Sequence, residues 1–131
     1  MHTIKIQSTE RNQIIDITHQ INNVIREHNY ESGLIVVYSP HTTASITVNE
    51  NADPDVKTDM IYAFNHLVPN DPKFKHMEGN SNSHVKGSMI GFSQTFIVED
   101  YTIQLGTWQS IYFIECDGPR HRKVWLQFIS A

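Results

Sequence analysis

Residues 93–129, "SQTFIVEDYTIQLGTWQSIYFIECDGPRHRKVWLQFI", contain four runs of strand-forming residues joined by the short stretches "EDY", "GTW" and "DGPR". The runs are rich in β-branched and aromatic side chains, and each has the length of a strand. Four such runs at roughly ten-residue spacing predict an antiparallel meander or sandwich. This region therefore decides the fold class.

The residues before this region add three strands and a helix. Residues 2–7 and 44–50 alternate between apolar and polar side chains, which predicts strands. The continuous apolar run "GLIVVYS", residues 33–39, predicts a strand that is buried on both faces. Residues 16–29 carry apolar side chains at helical spacing, which indicates an amphipathic helix.

A second helix is predicted over residues 54–68. Asp53 stands at its N-cap position, Pro54 is its first residue, and a proline follows it. Residues 69–83, with two prolines, a glycine and several Asn and Ser residues, predict a long loop, and loops of this length are often functional. For residues 84–91 a short helix is favoured over a half-strand.

Together these elements predict one α+β domain over residues 1–131, with a mainly antiparallel, curled sheet and two principal helices. The single cysteine, Cys116, cannot pair within the chain, and neither an apolar leader nor a membrane-spanning run is present, so we expect a cytoplasmic protein without a membrane partner. The net charge of −4 and the scattered basic residues argue against a nucleic-acid partner.

The stretch "YSPHTTASITVNENADPD", residues 38–55, carries the first candidate site. His41 is a possible base, and Thr42 and Thr43 could hold an anion. Glu50 and Asp53 add hard oxygen ligands. A structural interpretation is also open, because Asp53 is explained as a helix cap and the hydroxyls suit a polar turn.

The stretch "HMEGNSNSH", residues 76–84, carries the second candidate site. His76 and His84 flank Glu78 and Asn80 in the long loop. Together with His41 they would supply three imidazoles, and three protein ligands with an open position are typical of a catalytic zinc site. The spacing fits no standard helical histidine pair, and a solvated loop histidine is the alternative for His76.

The third candidate site lies in the last forty residues. Trp108 and Gln109 could line a pocket or only form a hairpin corner. Glu115 ends an apolar run, so we expect it to face a polar group. Arg120 and Lys86 are candidate phosphate contacts, although either could be a solvated side chain.

The stretches "SPHTTASITVNENADPDV", "HMEGNSNSHVKGSMIG" and "LGTWQSIYFIECDGPR" resemble, in order and spacing, those of the YjbQ family. The likeness covers essentially the whole chain. The resemblance implies an antiparallel β-sandwich or barrel with flanking helices, a homotrimer, and a polar pocket built from these motifs. In place of the glycine that many relatives have after "ED", this chain has Tyr101.

The resemblance also implies which residues form the site. His41, His76 and His84 correspond to the family histidines, near which a metal or an anion is expected. The other matching positions are Glu50, Asp53, Glu78, Asn80, Trp108, Gln109, Glu115 and Arg120.

The family label, secondary thiamine-phosphate synthase, implies a reaction that joins a thiazole phosphate to a pyrimidine pyrophosphate. Such a step needs a cation for the leaving pyrophosphate and basic groups for the phosphates. We therefore expect an enzyme with a divalent cofactor, zinc or magnesium, that acts weakly in this reaction on a small phosphorylated molecule. His41, Glu50, Glu78 and Glu115 are the candidate catalytic residues. The alternatives are a zinc-dependent hydrolase with Glu50 or Glu78 as base, and a non-catalytic trimer that binds a metal or an anion.

Overall fold

Every pair of neighbouring strands in the protein runs antiparallel. The computed structural model describes all residues from Met1 to Ala131 and contains eight strands and three helices. In chain order these are β1 (His2–Gln7), β2 (Gln13–Asp16), α1 (Thr18–Glu27), β3 (Gly33–Tyr38), β4 (Ala44–Glu50), α2 (Pro54–Leu67), α3 (Ser81–Ile90), β5 (Ser93–Glu99), β6 (Thr102–Ile103), β7 (Gln109–Glu115) and β8 (His121–Ser130). The predicted α+β class with a mainly antiparallel sheet is therefore confirmed.

The strands form two sheets. The large sheet has the order β1-β8-β3-β5-β6, and the small sheet has the order β2-β7-β4. The prediction of a meander for the last four strands is wrong, because β7 lies in the small sheet while β5, β6 and β8 lie in the large one. The alternative prediction of two packed sheets describes the arrangement, since buried residues of both sheets, such as Ile35 and Phe113, share the main core.

The small sheet is covered on both faces. Ile111 and Phe113 on β7 point into the main core, to which α1 also contributes Ile21. Tyr112 and Ile114 point the other way, into a second core under α2 and α3. A central strand with cover on both sides loses water from both faces, which explains why β7 is buried almost throughout.

The outer face of the large sheet has no such cover. On β3, Ile35 and Val37 are fully buried, but Leu34 and Tyr38 are each 42% exposed. The prediction that this strand is buried on both faces is therefore wrong, because no helix or second sheet packs against its outer side. The unpredicted strand β2 is only four residues long and lies at the edge of the small sheet.

Of the three helices, only α2 begins at a residue whose side chain caps it. Asp53 accepts a hydrogen bond from the Asp55 amide (2.9 Å) at the start of α2, as predicted. The third helix ends at Gly91 as expected, but it begins at Ser81 and so shortens the predicted loop. None of the three helices has the length and apolar character needed to cross a membrane.

The connection between β5 and β6 explains the departure at Tyr101. Asp100 and Tyr101 form a two-residue loop in which both residues have positive φ, 52° and 63°. This is the backbone conformation of a type I′ hairpin turn. Glycine is favoured in such turns because it adopts positive φ without steric cost. The glycine expected after "ED" in relatives would therefore suit the same turn.

Candidate functional site

A polar cleft with a volume of about 360 Å³ lies at the end of the small sheet where β4 begins and β7 ends. No hydrophobic side chain lines this cleft. Its walls come from the loop before β4, the loop that leads into α3, and the turn between β7 and β8. The lining residues are Pro40, His41, Thr42, Thr43, His76, Glu78, Asn80, His84, Asp117, Arg120 and Arg122.

The polar cleft brings together most of the residues that the sequence singled out. The predicted residues that line it are His41, Thr42, Thr43, His76, Glu78, Asn80, His84 and Arg120. Motifs separated by more than thirty residues in the sequence therefore meet in one place.

His41 occupies the cleft because β3 stops before it. In the β3–β8 register Tyr38 faces Trp125, so Lys123 would next face Pro40, which has no N–H group to offer. His41 lies there instead, with Nε2 3.0 Å from the Lys123 amide nitrogen and 3.1 Å from its carbonyl oxygen. The imidazole thus replaces the missing strand partner.

These contacts decide what His41 can do in the cleft. Because Nε2 is held by the backbone of Lys123, only Nδ1 is left for a ligand or a proton. Nδ1 offers a lone pair only in the tautomer whose Nε2–H donates to the Lys123 carbonyl. Burial, together with the nearby positive charge of Arg122, lowers the pKa of His41, which favours the neutral imidazole.

His76 and His84 lie side by side. Their ring centroids are 5.4 Å apart and the rings are nearly perpendicular. Imidazole nitrogens suit zinc, so the pair fits a divalent cation by its donor chemistry. No group of three or more His, Cys, Asp or Glu side chains is assembled closely enough to hold a metal ion, so His41 does not complete a ready ligand set.

Asn80 lines the cleft with a side chain of which only one end is hydrogen-bonded. Its amide nitrogen donates to Glu78 Oε2 and to Asp117 Oδ2, both at 2.7 Å. Its Oδ1 atom is buried without any hydrogen-bond partner. A buried acceptor left unpaired costs about 1–3 kcal/mol, which a cation or a donor group bound in the cleft would relieve.

The guanidinium of Arg120 is largely occupied by carboxylates. Its Nε and Nη2 donate to the carbonyl (2.8 Å) and the carboxylate (2.9 Å) of Asp117, and Glu78 lies 3.7 Å away. Arg11 also pairs with Asp117, at 3.5 Å. Arg120 therefore shapes the cleft but carries little free positive charge toward a phosphate.

Under the cleft lies a buried ion pair between Arg122 and Glu115. Arg122 Nε donates to Glu115 at 2.8 Å, and Nη2 donates to Thr43 Oγ1 at 2.8 Å. Glu115 also accepts from Ser8 Oγ (2.7 Å) and from the Asp117 amide (3.1 Å). Since both of its oxygens are occupied and its side chain is fully buried, Glu115 holds the cleft in place from below.

Four of the predicted site residues lie outside the polar cleft, at the opposite end of the small sheet. Glu50 faces Gln109 at the other end of the strand pair that joins Ala44 to Glu115. The two ends are six residue steps apart along β4, which corresponds to roughly 20 Å. Asp53 and Trp108 lie near this far end: Asp53 follows β4 and caps α2, and Trp108 precedes β7 and is exposed.

Lys86 is also absent from the cleft. It is a buried residue of α3, and its ammonium group donates to the side-chain oxygen of Asn65 and lies 3.4 Å from that of Asn12. Burial lowers its pKa. The structure thus gives Lys86 neutral amide partners, and Lys86 does not line the cleft.

Sequence reasoning missed two charged residues that line the cleft, Asp117 and Arg122. A signal for Arg122 exists in the alternation of β8, because Arg122 shares the inward face with Val124 and Leu126. A charged side chain at an inward position needs a partner, and Glu115 provides it. Asp117 has a weaker signal, since it only follows an apolar strand.

The fold and the site together define a class of protein. Its members are α+β proteins with two packed antiparallel sheets and a histidine-containing polar cleft at the end of the smaller sheet. Within that class, the chain belongs to the YjbQ-like UPF0047 family, whose model matches residues 2–131.

Relatives from distant organisms support this assignment. The chain is 48% identical to the UPF0047 protein MJ1081 of Methanocaldococcus jannaschii, with 95% of this chain and 91% of the relative covered. It is 46% identical to the UPF0047 protein YugU of Bacillus subtilis, with 98% of both chains covered. A crystal structure of an uncharacterised YjbQ/UPF0047 protein from Clostridium acetobutylicum superposes with a TM-score of 0.95 at 44% identity, covering 98% of this chain and 100% of the other.

Proposed function

We propose that the protein is a metal-dependent enzyme that acts on a small phosphorylated molecule, with weak thiamine-phosphate synthase activity. The observation that carries this proposal is the polar cleft that the paired imidazoles of His76 and His84 line together with Asn80 and Glu78. A divalent cation bound there, zinc or magnesium, would neutralise the charge that develops on a departing pyrophosphate.

The residues of the chain would then have separate tasks. His76 and His84 would hold the cation, and Asn80 would offer its free oxygen. His41 would hold or accept a proton at Nδ1, because its other nitrogen is engaged by the backbone. The hydroxyl of Thr42 is exposed toward the cleft and is free to bind a polar group of the substrate, whereas that of Thr43 accepts from Arg122.

The test is an assay of thiamine phosphate formation with purified protein, a thiazole phosphate and a pyrimidine pyrophosphate. We expect slow turnover with zinc or magnesium added and none after treatment with a chelator. A parallel reaction without protein gives the background. If the metal-loaded protein makes no more thiamine phosphate than this background, the proposed reaction is wrong.

A zinc-dependent hydrolase is the second candidate, and the position of Glu78 favours it. Glu78 lines the polar cleft with a largely exposed carboxylate, as a base that activates water would need to do. Glu50, the other base considered, lies at the far end of β4. Release of phosphate from phosphate esters by the zinc-loaded protein would identify this activity, and the absence of any turnover would favour the non-catalytic binding alternative.

We also propose that the chain forms a homotrimer, and the outer face of the large sheet supports a subunit contact. Leu34 faces Ile97 on one neighbouring strand and Ile129 on the other, and the last two are 54% and 52% exposed. Adjacent exposed aliphatic side chains of this kind favour contact with another protein surface.

The expected cytoplasmic location stays a prediction.

The trimer predicts a solution mass about three times the 15.1 kDa of one chain, as measured by light scattering. Leu34→Glu should lower this mass, because it would bury a charge in the contact. Leu67→Glu, at an exposed leucine on α2, is the matched control and should leave the mass unchanged. A parent protein that is monomeric in solution would contradict the proposal.

A further inference from the structure

A second depression, which we call the basic groove, adjoins the polar cleft. Its volume is about 550 Å³, and it shares His41 and Arg122 with the cleft. The groove lies over β1 and β8, where Lys5, His121 and Lys123 contribute to its lining. No Asp or Glu side chain lines it, although the whole chain has a net charge of −4.

The two lysines of the groove face each other directly. Lys5 on β1 is in register with Lys123 on β8, and residues directly opposite in an antiparallel pair project from the same face. Both side chains are exposed, and neither forms a salt bridge. Like charges opposite each other destabilise a sheet, and a bound anion would remove this repulsion.

The neighbouring residues extend the same positive surface. His121 faces Gln7 on β1, one step along the same side of the sheet. The ammonium of Lys123 lies 5.9 Å from the centre of the Trp125 ring, so its present partner is an aromatic face and no carboxylate. An anion could therefore recruit Lys123 without breaking an ion pair.

The polar cleft itself has no comparable free charge. Arg120 is paired with Asp117 and lies near Glu78. Arg122 is paired with Glu115, and Lys86 is buried outside the cleft. The unpaired lysines of the basic groove, Lys5 and Lys123, thus line a depression that shares His41 with the polar cleft.

We propose that the basic groove binds the phosphate or pyrophosphate group of the substrate through Lys5 and Lys123, and that the reacting end of the substrate lies in the polar cleft beyond His41. The second half of this statement rests on the proposed function. The first half concerns anion binding alone and can be tested without any turnover.

The test measures binding of inorganic pyrophosphate to chelator-treated protein by titration calorimetry at low ionic strength. We expect Lys5→Gln and Lys123→Gln each to raise the dissociation constant roughly tenfold, the loss of one charge-assisted contact. Lys57→Gln, at a lysine on α2 that lines neither depression, is the matched control and should change it less than about twofold. Binding should also weaken with added salt.

Lys5→Glu separates anion binding from folding. The new carboxylate would face Lys123, so the variant should melt at or above the temperature of the parent and yet lose pyrophosphate binding. The proposal is overturned if the parent binds no pyrophosphate, if the lysine variants bind it as the parent does, or if Arg120→Gln abolishes binding while they do not.

The result of the pyrophosphate-binding test does not depend on the result of the thiamine phosphate assay. Pyrophosphate binding that depends on Lys5 and Lys123 in a protein without turnover would support the groove and reject the reaction. Turnover whose KM is unchanged in Lys5→Gln and Lys123→Gln would reject the groove and leave the reaction intact.

Discussion

Arg122→Met is expected to lower the free energy of unfolding by about 3–5 kcal/mol, the usual cost of removing one partner of a buried ion pair. The substitution would leave Glu115 fully buried without its counter-charge, with only Ser8 and the Asp117 amide as donors. It would also release Thr43 Oγ1, which Arg122 now holds at 2.8 Å. Urea unfolding followed by circular dichroism measures this loss.

Two controls show whether the loss comes from the unpaired charge. Lys123→Met changes an exposed neighbour on the same strand and should cost less than about 1 kcal/mol. Arg122→Met combined with Glu115→Gln removes the charge and keeps one oxygen, which can accept from either Ser8 or the Asp117 amide. We expect this double variant to be more stable than Arg122→Met alone, and a double variant of lower stability would contradict the explanation.

The same ion pair makes the stability depend on pH. Burial by itself raises the pKa of Glu115, but hydrogen bonds from Arg122, Ser8 and the Asp117 amide outweigh burial and lower it. A carboxyl group with a lowered pKa stabilises the folded protein above its unfolded value of about 4.3, and this stabilisation is lost as the pH falls through the folded pKa. The parent should therefore lose more stability below about pH 4 than the double variant does.

Local patterns predicted most of the elements because the relevant forces act along the chain. Asp53 and Pro54 define the start of α2, and the alternation of residues 2–7 and 44–50 defines two strands. The assignment of strands to sheets was not predictable in this way. Strand β7 pairs with β2 and β4 and not with its sequence neighbours. This choice depends on contacts between residues far apart in the chain, which local sequence patterns do not reveal.

The candidate site shows the same limit. His41, His76 and His84 were proposed to share a pocket because of motif order, and the structure places all three at the polar cleft. The pairing of charges could not be anticipated: Arg120 is occupied by Asp117, and Lys86 is buried among amide oxygens. Both depend on side-chain partners that are brought together only by folding.

His76→Ala and His84→Ala are each expected to lower the affinity for zinc by at least about a hundredfold, and to abolish any metal-dependent turnover. Loss of a residue that only orients a metal ligand typically costs 10- to 100-fold in affinity, so loss of a ligand should cost at least as much. His76 is exposed and His84 is half-buried at the start of α3, so both variants should unfold within about 1 kcal/mol of the parent.

Zinc titration by calorimetry and the thiamine phosphate assay test this expectation on the same preparations. His19→Ala, at an exposed histidine on α1 outside the polar cleft, is the matched control and should bind zinc like the parent. His41→Ala should reduce turnover more than zinc affinity, because His41 does not join His76 and His84 in a ready ligand set and its Nε2 is held by the Lys123 backbone. Equal zinc affinity in the parent, His76→Ala and His84→Ala would show that the cleft does not hold the metal through this pair.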